Sequence, residues 1–134
     1  MSTGGDPHVV LFVCVQNAGR SQMAAALLER YAGDRLRILS AGSAPAASVH
    51  PEVAEALRDV GIELGRATPR LLAEADVREA DVVVTMGCGD ACPVYPGKRY
   101  EDWEIEDPAG KPPQAVQRIR DEIDARVRRL ADSL

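Results

Sequence analysis

Hydrophobic positions along the chain follow two different spacings. Residues 9–14 and 81–86 each contain a run of consecutive apolar, mostly β-branched residues, which is typical of a strand buried on both faces. Elsewhere, apolar residues recur every three or four positions, which is the spacing of an amphipathic helix. The two kinds of segment alternate, and this order predicts an α/β fold with a mainly parallel sheet.

The elements can be placed approximately from the same pattern. Strands are predicted near residues 9–14, 36–39, 81–86 and 99–103. Helices are predicted over residues 21–31, 51–60, 69–75 and 116–130. Pro51 suits the first position of the second helix, Gly61 its stop, and Thr68-Pro69 the cap and first turn of the third. We expect three layers: a four-stranded, mainly parallel sheet with helices on both faces.

Composition narrows the class of protein. The 134 residues, 46% hydrophobic and 28% charged, predict one globular domain spanning 1–134, with 1–7 as a flexible tail. A net charge of −5 argues against a sequence-independent nucleic-acid partner. No apolar run is long enough for a membrane span or secretion signal, so we expect a cytoplasmic protein without a membrane partner. Its three cysteines are then expected to be reduced.

Candidate functional residues lie at or after the ends of three predicted strands. Cys14 ends the first, Gly87 and Cys88 follow the third, and Asp107 comes after the last. In a parallel sheet, ligands bind beyond the carboxyl ends of the strands. We therefore expect these residues to converge on one edge of the sheet.

The segment from Cys14 to the next helix has the composition of an anion-binding loop. A loop between a strand and a helix can turn its amide N–H groups inward around an oxyanion. Asn17 and Gly19 tolerate the backbone angles that such a loop needs. The predicted oxyanion-binding residues are Val15, Gln16, Asn17, Ala18, Gly19, Arg20 and Ser21.

Within this loop, three side chains predict nucleophilic chemistry. Arg20 offers a planar fork that matches two oxygens of a tetrahedral anion. The same positive field favours the thiolate form of Cys14, and Ser21 is placed to donate a hydrogen bond to it. The alternative is that Cys14 is an inert core residue. Glycine-rich nucleotide-binding motifs are absent, so nothing indicates NAD or ATP.

Two further cysteines, Cys88 and Cys92, lie four residues apart in a glycine-rich segment. On a helical turn this spacing brings the Cα atoms within disulfide range. Zinc binding and inert cysteines are the alternatives; the histidines lie far away in sequence, so we expect no metal site. Asp107 precedes Pro108, which favours an extended backbone at the aspartate. A carboxylic acid held near a thiolate can protonate a leaving oxygen, although Asp-Pro is also common in turns.

Taken together, these residues resemble the thioredoxin-coupled arsenate reductases, which share the fold of the low-molecular-weight protein tyrosine phosphatases. The resemblance covers nearly the whole chain: Cys14-x₅-Arg20-Ser21-Gln22-Met23-Ala24, Ser40-Ala41-Gly42, residues 81–86, the cysteine pair, Tyr100-Glu101-Asp102-Trp103 and Asp107-Pro108-Ala109-Gly110-Lys111. The phosphatases share the anion loop and the Asp-Pro pair but not the cysteine pair. Their Asp-Pro is typically followed by tyrosines, whereas Ala109-Gly110 follows here.

The resemblance implies reduction of arsenate to arsenite by a three-cysteine relay, for arsenic detoxification. Cys14 attacks arsenic while Asp107 assists the leaving hydroxyl, Cys88 attacks Cys14 and releases arsenite, and Cys92 takes over the disulfide with Cys88. Thioredoxin or a low-molecular-weight thiol then reduces that disulfide. Phosphate and sulfate are expected competitors, and no cofactor is expected to be bound. Separately, the size of the domain and the charged face of its C-terminal helix predict a monomer.

The sequence differs from the family pattern in two places, and two alternative functions stay open. Some members bind potassium through acidic residues, but Ala25 and Arg70 occupy those positions here, which argues against potassium activation. Only three residues separate Cys88 from Cys92, fewer than in some members. One rival function is a phosphatase that forms a phosphocysteine on Cys14. Another is a non-catalytic module that binds an oxyanion.

Overall fold

The computed structural model describes residues 8–65, 67–87 and 96–134. The predicted tail at 1–7, Cys88 and Cys92 lie outside the described residues. In chain order the elements are β1 (His8–Cys14), α1 (Arg20–Ala32), β2 (Leu36–Gly42), α2 (Pro51–Arg58), α3 (Glu74–Glu79), β3 (Val82–Met86), β4 (Arg99–Asp102) and α4 (Pro113–Asp132).

The four strands form one sheet in the order β2-β1-β3-β4, and every neighbouring pair is parallel. This confirms the predicted sheet. The register pairs Cys14 with Gly42 on one side and with Met86 on the other. The carboxyl end of β1 therefore lies at the centre of the sheet edge, between the ends of β2 and β3.

Both faces of the sheet are covered, as predicted. Alternate residues of β1 point to opposite sides. Val10 and Phe12 are fully buried in a core shared with α1, α2 and α4, and the ring of Phe12 packs 5.8 Å from that of Trp103. Leu11 and Val13 are buried on the other face with Val77 of α3. Because β1 is buried on both faces, it is an apolar run with no polar alternation.

The helix predicted over 69–75 is wrong. This segment instead runs beside the end of β2, where Leu71 forms a parallel bridge with Gly42. The Gly42 amide donates to the Arg70 carbonyl, and the Leu72 amide donates to the Gly42 carbonyl, each at 2.9 Å. These non-local bonds satisfy the backbone, so Pro69 starts no helix. α3 begins later, where the Asp76 carboxylate accepts a hydrogen bond from the Ala73 amide.

The remaining boundaries differ from the predictions by a few residues. The second strand continues to Gly42, the helix from Pro51 ends at Arg58, and the C-terminal helix begins at Pro113. Among the described residues, no helix combines the length and the apolar character needed to cross a membrane.

Candidate active site

Cys14 lies at the carboxyl edge of the sheet, with only 2% of its surface exposed. It lines a cavity of about 210 Å³, whose other lining residues are Val15, Gln16, Gly19, Arg20, His50 and Asp107. The structure therefore brings together Cys14, Arg20 and Asp107. Cys14 and Arg20 lie at the two ends of one loop, whereas Asp107 follows β4, the last strand in the chain. The convergence of Cys14 and Asp107 on this edge was predicted from the parallel sheet, whereas Cys88, predicted to lie there too, is outside the described residues.

The loop after Cys14 has its carbonyl groups bonded to the surrounding fold. Each carbonyl from 14 to 19 accepts a hydrogen bond, and the donors are, in order, the amides of Ser43, Ala44 and Ala46, the side chain of Gln22, and the amides of His50 and Met23. In a trans peptide the N–H group points opposite to the C=O group, and no described peptide bond is cis. The N–H groups of these peptides therefore point away from the groups that hold the carbonyls, which is the arrangement expected of an oxyanion nest.

A chain of three hydrogen bonds leads to the Cys14 sulfur. The Arg70 amide can only donate, and it donates to Asn17 Oδ1 at 3.0 Å. This fixes the orientation of the Asn17 amide, whose Nδ2 donates to Ser21 Oγ at 2.7 Å. The Ser21 hydroxyl proton is thus available to Cys14 Sγ, 2.9 Å away. The Ser21 contact was predicted, whereas the role of the Asn17 side chain was not.

Asn17 and Gly42 explain how the loop fits on the sheet. Asn17 has a positive φ of 50°, in the left-handed region that asparagine tolerates better than most residues. A Cβ atom on Gly42 would lie 2.5 Å from the Val15 carbonyl oxygen and 2.9 Å from the Asn17 nitrogen. The loop therefore packs directly on the end of β2, and this contact requires glycine. Ser40-Ala41-Gly42 is part of the family resemblance, but its residue types alone do not indicate which part of the chain it contacts.

Arg20, the first residue of α1, joins the loop to the opposite wall of the cavity. Its side chain is 14% exposed, and its Nη1 donates to the Ile105 carbonyl at 3.0 Å. Its Nη2 lies 3.9 Å from Asp107 Oδ2. A Cβ on Gly87, just after β3, would lie 3.0 Å from Nη1. The guanidinium group thus lies between the end of β3 and the segment before Asp107.

Asp107 sits at the mouth of the cavity, with 55% of its side chain exposed. Its Oδ1 accepts a hydrogen bond from the Ala109 amide at 3.0 Å. The Pro108 ring packs near Gly19, 3.1 Å from the position of a Cβ there. His50, which the sequence did not single out, completes this wall, and its Nε2 lies 3.0 Å from Gln16 Oε1.

The two positions linked to potassium lie apart from the cavity lining. Ala25 is partly buried against the core of α1, α2 and α4. Arg70 forms an ion pair of 3.0 Å with Asp76. Burial raises the pKa of Asp76, but hydrogen bonds from Arg70 and the Ala73 amide, with the charges of Arg70 and Arg37, bring it below its ordinary value. The positive charge of Arg70 is therefore already compensated.

Residues 9–134 match the model of the low molecular weight phosphotyrosine protein phosphatase family. The chain belongs to this family. The match includes every described element, except for the first residue of β1, and the cavity around Cys14. Family membership thus agrees with the fold and the anion loop.

Within this phosphatase family, the chain is similar to arsenate reductases. It is 40% identical over 126 residues to a putative arsenate reductase of Halobacterium salinarum, covering 90% of this chain and 89% of that protein. It matches a thioredoxin-dependent arsenate reductase of Corynebacterium glutamicum with 48% identity and a TM-score of 0.87. That match covers 97% of this chain but only 63% of the other. An arsenate reductase in the phosphate binding state matches with 28% identity and a TM-score of 0.83, over 94% of this chain and 98% of that one.

Proposed function

We propose that the protein reduces arsenate to arsenite, using three cysteines and an external thiol reductant. The observation that carries this proposal is the placement of the buried Cys14 sulfur beside the Ser21 hydroxyl, in the nest formed by its loop and Arg20. Such a nest suits a tetrahedral oxyanion of the size and charge of arsenate. The similarity to arsenate reductases supports this substrate over other oxyanions.

In the first step, the Cys14 thiolate attacks arsenic. A sulfur–arsenic bond forms, and one arsenic–oxygen bond breaks. Asp107, in its acid form, donates a proton to the departing hydroxyl so that it leaves as water. Arsenic remains in its +5 state, and Arg20 with the loop amides stabilises the charge on the remaining oxygens.

The second step transfers electrons. The Cys88 thiolate attacks the Cys14 sulfur, the sulfur–arsenic bond breaks, and its electron pair stays on arsenic, which leaves as arsenite. The product is a Cys14–Cys88 disulfide. In support, Gly87, which precedes Cys88 in the chain, lies against the Arg20 guanidinium at the cavity. Two thiols supply the two electrons that the reduction needs.

The third step restores the nucleophile. The Cys92 thiolate attacks the Cys88 sulfur, so that Cys14 leaves as a thiolate and a Cys88–Cys92 disulfide forms. An external dithiol then reduces this bond by exchange. Thioredoxin is the proposed donor, with a low-molecular-weight thiol system as the alternative, because a thioredoxin-dependent reductase is similar over 97% of this chain. Phosphate and sulfate, which share the tetrahedral shape, are proposed competitors.

A phosphatase activity is the second candidate. The family match favours it, and it needs only Cys14 as nucleophile, Arg20 and Asp107. It does not need Cys88 or Cys92. A non-catalytic oxyanion-binding module would need no reactive thiol, so slow alkylation of Cys14 at neutral pH would favour that third possibility.

A single turnover tests the proposal. Fully reduced protein is mixed with arsenate alone, the remaining thiols are blocked, and the peptides are mapped by mass spectrometry. We expect one arsenite per protein, a Cys88–Cys92 disulfide and a free Cys14. Phosphate in place of arsenate is the control and should leave all three thiols free. Three free thiols and no arsenite after arsenate would contradict the proposal and make aryl phosphate hydrolysis the next assay.

The order of the relay is tested with Cys92→Ser. This variant should complete the first two steps, release one arsenite and stop with Cys14 bonded to Cys88, because no thiol remains to free Cys14. Peptide mapping identifies the trapped bond. Repeated turnover of Cys92→Ser with thioredoxin would show that Cys92 is not the resolving thiol.

A further inference from the structure

The amino end of α2 contacts both walls of the cavity. The His50 amide donates to the Ala18 carbonyl of the anion loop at 3.0 Å. Two residues later, Glu52 Oε2 accepts a hydrogen bond of 2.8 Å from the Gly110 amide, 58 residues away in sequence. The first turn of α2, with the residue before it, therefore connects the loop that bears the nucleophile to the segment that bears Asp107.

The contact with Glu52 adds a hydrogen bond to a turn that is otherwise held by its own residues and by the packing of Pro108 near Gly19. Asp107 Oδ1 accepts from Ala109 within the same turn, and the Lys111 amide donates to the Pro108 carbonyl. Upstream of Asp107, Arg20 holds the Ile105 carbonyl. Downstream of Pro108, the bond to Glu52 is the one described hydrogen bond that ties the turn to another element before α4 begins.

The charge of Glu52 strengthens this tie. Hydrogen bonds from its own amide and from the Gly110 amide hold the pKa of Glu52 below its ordinary value, against the effects of burial and of the Asp107 charge, and His50 also lowers it. Glu52 is therefore a carboxylate at neutral pH. A hydrogen bond to a charged acceptor is stronger than one between neutral groups.

We propose that Glu52 is a positioning residue for Asp107: it holds the 107–110 turn through the Gly110 amide, so that the carboxyl group of Asp107 stays at the mouth of the cavity. This inference rests on the proposed function, because it assumes that Asp107 donates the proton in the first step. Glu52 touches no reacting atom. Its effect on the rate must therefore pass through Asp107.

The first test measures the contact itself, without activity. In an NMR pH titration, the Gly110 amide resonance should shift as Glu52 takes up a proton in acid. In Glu52→Gln that part of the shift should disappear, while the Ala109 amide should behave as it does in the wild type. An identical Gly110 titration in the wild type and in Glu52→Gln would overturn the contact in solution.

The second test is a double-mutant cycle on the single-turnover rate with arsenate. Glu52→Ala should slow the rate at saturating arsenate about tenfold, since small displacements of catalytic groups have effects of this size or larger, and leave half-saturation unchanged. Glu52→Gln should recover most of the rate, because its amide oxygen can still accept from Gly110. Glu55→Ala, which alters an exposed carboxylate one turn along α2, is the matched control and should react as the wild type does.

The decisive arm is Glu52→Ala in an Asp107→Asn background. If Glu52 acts through Asp107, this second change should slow the rate less than twofold. A full tenfold loss in that background, or a thermal midpoint that falls along with the rate, would assign Glu52 to general stability and overturn the proposal. A wild type that hydrolyses aryl phosphates but releases no arsenite would contradict the proposed function alone, and the cycle would then be measured on that hydrolysis.

Discussion

The two walls of the cavity are built in different ways. On the anion loop, Asn17 and Ser21 are completely buried, and every carbonyl from 14 to 19 is bonded to a neighbouring part of the fold. On the segment 105–110, which we call the acid segment, Asp107 is half exposed, and the described bonds to other elements come from Arg20 and Glu52. The anion loop buries its polar side chains Asn17 and Ser21, whereas the acid segment places Ile105 in the core but leaves Asp107 exposed, with two described hydrogen bonds to other elements.

This difference fits the separate tasks proposed for the two walls. Charge stabilisation is most effective when the dipoles are already oriented, because no reorganisation is needed during the reaction. The acid segment has to admit arsenate and release arsenite, which requires access rather than burial. Disturbing the anion loop should therefore affect binding and chemistry together, whereas disturbing the acid segment should affect mainly the rate.

The largest expected effect comes from Cys14→Ser. We expect arsenite release to fall to the background rate, since a serine hydroxyl at neutral pH is a far weaker nucleophile than a thiolate. Oxygen should be tolerated at this position because Ser21 still offers its hydrogen bond. Phosphate binding and the melting temperature serve as controls and should change little. Normal turnover by this variant would rule out Cys14 as the nucleophile.

Arg20→Lys tests the residue that joins the two walls. Lysine keeps the charge but not the planar fork, so it cannot bind two oxygens of the anion and hold the Ile105 carbonyl at once. We expect a loss of about 100-fold or more in rate, together with weaker phosphate binding. Isothermal titration with phosphate and single-turnover rates provide the two measurements. Unchanged phosphate affinity would contradict the assigned role of the loop.

Asp107→Asn should distinguish most clearly between the roles of the two walls in binding and in the rate. The asparagine cannot donate a proton in the same way, so the rate should fall about 100-fold. Phosphate affinity should stay within about twofold, because the anion loop is intact. The lost carboxylate charge lies 3.9 Å from Arg20 and is largely exposed, so its removal should strengthen anion binding only slightly. Stopped-flow arsenite release and phosphate titration are the measurements. A large loss of phosphate affinity would show that the acid segment belongs to the binding site.

Gly42→Ala disturbs the anion loop through its contact with the end of β2. The new methyl group would lie 2.5 Å from the Val15 carbonyl oxygen, so the loop has to shift. Overpacking of this kind typically costs about 1–3 kcal/mol, and we expect phosphate binding about tenfold weaker. Gly97→Ala is the control: its φ of 84° strains the backbone, but its methyl group meets nothing within 4 Å. Equal losses of phosphate affinity in both variants would show that Gly42 has no specific role in shaping the anion site.

These contacts show which features a single sequence can predict. The strands were predictable because β1 and β3 are buried on both faces, and their parallel order placed Cys14 and Asp107 at one edge. Three contacts join distant parts of the chain, and no local spacing shows which parts meet: Glu52 with Gly110, Gly42 with the anion loop, and the Arg70 amide with Asn17. The helix predicted over 69–75 failed for the same reason: its backbone bonds with Gly42 are not local.

The smallest expected effect concerns the ion pair between Asp76 and Arg70. Arg70 contacts the anion loop through its amide, which donates to Asn17. Because the folded-state pKa of Asp76 lies below its ordinary value, its charge stabilises the fold above that value, and the stabilisation is lost as the pH falls through the folded-state pKa. Asp76→Asn keeps an acceptor for the Ala73 amide but loses the charge. Since Arg70 is partly exposed, we expect a loss of about 0.5 kcal/mol at pH 7. Urea unfolding should show this difference shrinking as the pH falls below about 4, with arsenate reduction at pH 7 unchanged. A marked loss of activity in Asp76→Asn would mean that the anion loop depends on surface charge, and the contrast between the two walls would not hold.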